Sequence, residues 1–424
     1  MFKLDFITGK SLTKTFFWAQ GFLNQIKMRR HLIFAIFILT VITNAFGQDY
    51  SLYSNDTILI KSKYLEKNIT LNLHLPETHP FSADSTTYPI TIIFDSQHER
   101  TYPRIISSFD LLTSETQIPE SIIIGMPFNI ETRRYLTSSQ KNKNDKYSGI
   151  EKTELFLFSE LIPRLQKEFK ANDFITVIGH SRTAFLVNYL TFKQSNKIDI
   201  AIALSGFYNK PLLVSVFQEY ISNNTNFPNK FRYYFTAGNT QEEEGYLKEC
   251  KSVFNYISSN NTASNFKGLF YQNDNANHMT NYWVSIPTVL IDAYADYNAI
   301  LNNWFYGKLE KEIGNPIHEF ETDLVDAGKK LGFNFNPNLT HIFSLASSFG
   351  YCKKDLESAI NFIMFGKRYY PDYLDFDLEL IQYYKLLNKP EIAKQYESQY
   401  VLKVKSRKDI SENEKMELLK NIQN

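Results

Sequence analysis

The chain has 424 residues, too many for one ordinary compact domain, and 43% of them are hydrophobic, enough for a sizeable core. Its net charge is +1 with Lys and Arg scattered, which leaves no basic stripe of the kind that holds nucleic acid. Cys250 and Cys352, about a hundred residues apart, fit neither a metal-ligand spacing nor a disulfide framework and read as two buried free thiols.

Near the N-terminus, His31 to Ile42 is an apolar run preceded by Lys27, Arg29 and Arg30, and Ala45-Phe46-Gly47 supplies small residues before Gln48. Basic flank, short apolar stretch and small-residue site together predict a signal peptide, with Met28 as a candidate start. The expectation is export to the periplasm or exterior, with no stable membrane span after cleavage. No cysteine follows the run, so a lipid anchor is not indicated.

Asp56 to Lys61 and Asn68 to Leu75 then alternate apolar and polar residues, as half-exposed antiparallel strands do. Ile90 to Phe94, Ser121 to Gly125, Phe174 to Ile178 and Ile198 to Leu204 are nearly continuous apolar runs, the pattern of strands covered on both faces. Phe231 to Phe235 and Phe266 to Tyr271 supply two more, and helix-length stretches such as Thr153 to Phe169 lie between. The predicted fold is α/β, a mixed and mostly parallel sheet flanked by helices on the α/β-hydrolase plan. From about residue 300 amphipathic helices replace strands. Ala359 and Ala393 are 34 residues apart, and Gly366 and Pro371 stand where a tetratricopeptide repeat has a small residue and a helix-ending proline. The expected division is a leader over 1–47, the α/β domain over 48–300, a helical linker over 301–335 and a repeat-like helical extension over 336–424, a possible docking surface for a protein partner.

The β-branched run ending at Ile178 leads into Gly179-His180-Ser181-Arg182-Thr183, and a helix-compatible segment follows. Strand, tight turn and helix are the setting of a nucleophile elbow. A serine hydroxyl is a weak nucleophile at neutral pH and needs a base, an acid to orient that base, and donors for the oxyanion. In such a fold the chain order is Ser, acid, His. His278 lies after the last strand. The acid belongs after Phe231 to Phe235, where Glu242, Glu243 and Glu244 stand together; Glu242 is preferred, then Glu243. The backbone amide of Arg182 is one oxyanion donor, and the loop Asp95-Ser96-Gln97-His98 holds the other. Thr183 stands where a residue without Cβ is expected, which calls for a wider strand–helix spacing or a smaller neighbour such as Ala184.

Taken in order, several segments resemble the putative-esterase branch of the α/β-hydrolases, which includes esterase D-like and enterochelin-esterase-like enzymes. Pro89 to Gln97 is similar to the strand ending in Asp-Gly, with Ser96 in the glycine's place and Gln97 in that of the oxyanion residue. Ile118 to Gly125 with Asn129, Arg133, Arg134 and Leu136-Thr137, then Glu160 to Pro163, Gly179-His180-Ser181 and Asn277-His278 with Ser285 and Pro287, match further segments. The resemblance covers roughly residues 55–300. It implies ester hydrolysis without metal or organic cofactor, on a small-molecule or polysaccharide-linked ester. An inactive binding protein and a serine peptidase on the same fold are the alternatives.

Overall fold

Eight strands form one sheet in the order β1-β2-β4-β3-β5-β6-β7-β8. They are β1 (Asp56–Ser62), β2 (Lys67–His74), β3 (Tyr88–Phe94), β4 (Ile122–Met126), β5 (Ala171–His180), β6 (Ile200–Leu204), β7 (Phe231–Gly238) and β8 (Phe266–Asn273). Each apolar or alternating run expected to be a strand is one. β1 pairs antiparallel with β2, and β2 with β4; every later pairing is parallel. The burial follows the sequence pattern: β1 alternates exposed and buried residues, whereas β3, β4 and β6 are buried throughout. The computed structural model describes residues 56–194, 196–208, 231–260 and 266–422. The expected signal segment, its cleavage site and Met28 lie outside them.

Among the described residues the helices are α1 (Tyr102–Ser114), α2 (Ile130–Leu136), α3 (Gly149–Phe156), α4 (Ile162–Glu168), α5 (Arg182–Lys193), α6 (Glu244–Asn260), α7 (His278–Ala293), α8 (Ala295–Phe305), α9 (Pro316–Lys329), α10 (Leu339–Ser347), α11 (Leu356–Tyr369), α12 (Leu374–Leu386), α13 (Pro390–Ser406) and α14 (Glu412–Lys420). Leu161, Leu165, Leu186, Leu190 and Ile257, from α4, α5, α6 and the turn before α4, cover one face of the sheet. Ile105 and Phe109 of α1 and Tyr282 and Ile286 of α7 cover the other. That second core does not stop at the sheet: it runs on through Tyr297, Trp304, Phe320, Ile342, Phe362 and Tyr383 into the C-terminal helices. The described residues accordingly fall within one compact unit that begins at Leu52.

The helical extension is fastened at the amino ends of the central strands. Ala83 N–H donates to Tyr369 O at 2.8 Å, Thr86 Oγ1 donates to the same carbonyl at 3.0 Å, and Asn336 Nδ2 donates to Thr87 O at 2.7 Å. Asn338 and Thr340 bond the last carbonyls of α1, on Thr113 and Ser114, and the rings of Phe174 and Phe333 meet at 5.0 Å. The carboxyl ends of the strands are thereby left to the loops. Cys250 is buried as expected; Cys352 is exposed, at the end of a turn rather than in the core. No described helix is long and apolar enough to cross a membrane.

Candidate active site

Ser181 stands at the carboxyl end of β5, where the chain reverses into α5. Its φ of 56° and ψ of −116° form a strained conformation for a residue with a Cβ. The Ser181 N–H donates to Leu204 O of β6 at 2.8 Å, which holds the turn against the sheet. Gly179 makes the turn possible: a Cβ there would lie 2.3 Å from the Thr183 carbonyl oxygen. The close approach expected to exclude a side chain at position 183 thus falls on Gly179 instead.

Thr183 is accommodated by hydrogen bonding rather than by extra space. It is fully buried, its Oγ1 accepts the His180 N–H at 3.0 Å, and its hydroxyl lies 2.9 Å from Asp95 Oδ2. Asp95 also takes two bonds from Arg133, Nε to Oδ1 at 2.6 Å and Nη2 to Oδ2 at 2.5 Å, and one from Gln97 Nε2 at 3.0 Å. Burial opposes the Asp95 charge, but the Arg133 guanidinium with Gln97 and Thr183 holds its carboxyl below the usual carboxylate range. Ser96 needs no glycine-like backbone, because the left-handed residue of this turn is Asp95, with φ 63°.

His278 is the first residue of α7, set there by the Asn277 cap, whose side chain accepts from Thr280 N–H. Its Nδ1–H donates to Glu243 Oε1 at 2.5 Å. Glu243 is fully buried and its Oε2 accepts from Ser205 Oγ at 2.7 Å and Gly238 N–H at 2.9 Å. Burial works against this charge too, yet the bonds from His278, Ser205 and Gly238 keep the Glu243 carboxyl below its ordinary value. The preference for Glu242 is corrected here: Glu242 is exposed, and its Oε1 accepts the backbone N–H of His278 at 2.9 Å rather than meeting the imidazole. Glu243 closes a short helical turn, Gln241–Glu243, that buries its side chain while Glu242 is exposed and Glu244 starts α6.

Tyr246 packs on the histidine. Its ring stacks on His278 with centroids 4.6 Å apart, and burial pushes its phenol up from its ordinary value, with Ser181 opposing the shift. On the opposite side His180 Nε2–H donates to His278 O at 2.7 Å, and the His180 ring stacks on Tyr282 at 4.8 Å. Burial, with His278 alongside, drives His180 down to about 3, so it is a neutral prop rather than a base. With Nδ1 of His278 engaged, Nε2 is the nitrogen left to take a proton.

The Arg182 amide has no helical acceptor, being the first residue of α5. Gln97 sits third in the turn closed by His98 N–H to Asp95 O at 3.2 Å, a turn that leaves the Gln97 amide unused. An open hollow of about 470 Å³, lined by Thr240, Gln241, Glu242 and Asn277, adjoins the His278 end of α7. Among the described residues no group of three or more His, Cys, Asp or Glu side chains is arranged to hold a metal ion. Ser205, Tyr246, Tyr282 and Asn281, whose Nδ2 donates to Ser205 Oγ at 2.7 Å, carry no sign of a site role in the sequence. Ser205 ends an apolar strand, and Tyr246 follows the Glu triplet within a helix, so neither carries a local signature.

Residues 62–265 match the family model described as Putative esterase. A search of curated proteins found no match. Among solved structures, the chain is similar to an uncharacterised protein from Capnocytophaga ochracea DSM 7271, with TM-score 0.55, 15% identity, and 87% of this chain and 99% of that chain covered. It is also similar to an IroE-like serine hydrolase from Shewanella oneidensis, with TM-score 0.53, 12% identity, and coverage of 81% and 98%. The BES protein from Bacillus cereus aligns with TM-score 0.50, 18% identity, and coverage of 56% and 96%. These structural likenesses show a shared fold alone, and the first two alignments cover more of this chain than its sheet domain accounts for. Residues 62–265 are thus similar to the putative esterase family, and that match supports a carboxylic-ester hydrolase.

Proposed function

We propose that the protein is an exported serine esterase in which Ser181, His278 and Glu243 form the catalytic triad. Ser181 Oγ attacks the ester carbonyl carbon while its proton passes to His278 Nε2. Glu243, ionised and buried, accepts the Nδ1–H and stabilises the imidazolium that forms. The negative oxygen of the tetrahedral intermediate receives the amides of Arg182 and Gln97. Collapse expels the alcohol, which takes the proton back from His278, and leaves an acyl group on Ser181. Water then repeats the sequence, its proton going to His278 and the acid leaving from Ser181.

The observation that carries this reading is the 2.5 Å contact between His278 Nδ1 and the fully buried Glu243, beside a serine held at positive φ. A buried carboxylate fixing one imidazole nitrogen is the arrangement a general base requires. The export part of the proposal is supported by the basic, apolar and small-residue sequence ahead of Gln48. Hydrolysis of p-nitrophenyl acetate is the test. The wild-type chain should turn it over and Ser181→Ala should lose on the order of 10⁴–10⁶-fold in kcat; equal rates for the two chains contradict the assignment.

A further inference from the structure

The two amides assigned to the oxyanion belong to segments far apart in sequence, the turn after β3 and the first residue of α5. Their relative placement matters, because a shift of about 1 Å at a reacting centre costs on the order of 100-fold in rate. Where the second residue after the serine lacks a Cβ, close packing alone can set that placement. Here Thr183 occupies the position, and a different device is built around it.

Asp95, 1% exposed, is its centre. Oδ2 receives the Thr183 hydroxyl at 2.9 Å and Arg133 Nη2 at 2.5 Å, and Oδ1 receives Arg133 Nε at 2.6 Å and Gln97 Nε2 at 3.0 Å. Four donors satisfy one carboxylate. At one end the chain of bonds continues through Gln97 Oε1, which accepts the Phe128 N–H at 2.9 Å and pins the Gln97 side chain. At the other it continues through Thr183 Oγ1 to the N–H of His180, the residue before the nucleophile. The path from the β3 turn to the elbow is buried, continuous and charge-assisted.

We propose that Asp95 and Thr183 are positioning residues, a buried strut that sets the Gln97 amide against the Arg182 amide and so shapes the oxyanion hole. The inference rests on the serine-esterase reading above and deepens it. Valine at 183 keeps the shape and volume of threonine but removes the hydroxyl, leaving Asp95 one donor short and the His180 N–H without its acceptor. Serine keeps the hydroxyl.

The test compares wild type, Thr183→Val, Thr183→Ala and Thr183→Ser in the full chain, each checked for a cooperative thermal transition. The readouts are p-nitrophenyl acetate kinetics and inhibition by a trifluoromethyl ketone, whose adduct with the serine places an oxyanion in the hole. Thr183→Val should lower kcat about 10–100-fold with KM changed less than about three-fold. The inhibition constant of the ketone should rise by the same factor by which kcat/KM falls, since both report the tetrahedral geometry. Thr183→Ser should return kcat to within about three-fold of wild type. Should valine fail to fold, alanine, which also lacks the hydroxyl but adds no bulk, is read in the same way. Wild-type kcat in either hydroxyl-free variant, or a lost kcat with unchanged ketone inhibition, overturns the strut alone. A wild-type chain that neither hydrolyses the ester nor binds the ketone overturns the esterase reading, and the strut with it.

Discussion

At the carboxyl ends of β3, β5, β6 and β7 the chain buries polar and charged side chains: Asp95, Thr183, His180, Ser205 and Glu243, none more than 3% exposed. At the amino ends the same sheet is closed by aromatic rings and backbone amides, with Phe333, Tyr297 and Tyr370 packed between strands and C-terminal helices and Tyr370 OH donating to Pro337 O at 2.8 Å. The first end is expensive to build, because each buried polar group must be fully bonded. The second stabilises by removing apolar surface from water. Catalytic chemistry belongs at the first end, and the second fastens a helical extension without covering the site. Substitutions at the two ends should therefore separate activity from stability.

The largest separation is expected at the triad acid. Glu243→Gln should lower kcat by about 10³–10⁴-fold, because the amide favours the wrong histidine tautomer. Glu242→Gln, which alters only a contact with the His278 backbone, should stay within about ten-fold of wild type. Steady-state kinetics on the two variants decides the order, and the reverse ranking would return the role to Glu242.

At the other end, Gly366 of α11 is where Phe376 and Ile342 close on the helix; a Cβ there would lie 2.6 Å from Phe376 Cζ and 2.9 Å from Ile342 Cδ1. Gly366→Val should cost about 1–3 kcal/mol in urea unfolding through overpacking. The kcat of the folded variant should not change. A fall in kcat at full folding would mean that the extension reaches the site.

The smallest effect concerns two buried histidines, one at each end. Burial drives His341 down to about 3, as burial and His278 drive His180. His341 Nδ1 accepts from the Asn338 N–H at 3.3 Å, while its Nε2 has no partner among the described residues. In the unfolded chain each titrates near 6.5. Below about pH 6.5 the unfolded state binds protons that the folded state refuses, so stability falls as pH drops, by up to about 1.4 kcal/mol per pH unit for each histidine. Above pH 7 neither contributes. His341→Phe should flatten the acid limb of unfolding by about one proton and leave ester hydrolysis unchanged; an unchanged slope would show that His341 is protonated in the fold.

Periodicity makes the apolar half of this architecture legible. Ile90 to Phe94 and Phe174 to Ile178 read as doubly covered strands because nothing polar interrupts them, and the Gly-x-Ser turn is visible because it follows such a strand. The helical extension is legible as helices, but its attachment is not, because backbone bonds such as Ala83 to Tyr369 leave no trace in side-chain pattern. The polar half is legible only in part. His278 stands out by position after the last strand, yet Glu242 and Glu243 are adjacent and identical, and only the direction of one short turn separates them. Thr183 looks like a misfit because sequence shows its bulk and not its partner. Asp95 is 88 residues away, and their hydrogen bond exists only once β3 and β5 are side by side.

The most direct test of the account is to treat the folded full chain with a fluorophosphonate and locate the adduct by peptide mass spectrometry. The account predicts one modified residue, Ser181, with labelling abolished in Ser181→Ala and slowed in Glu243→Gln far more than in Glu242→Gln. A folded chain that stays unlabelled, or that carries the adduct on another residue, contradicts it.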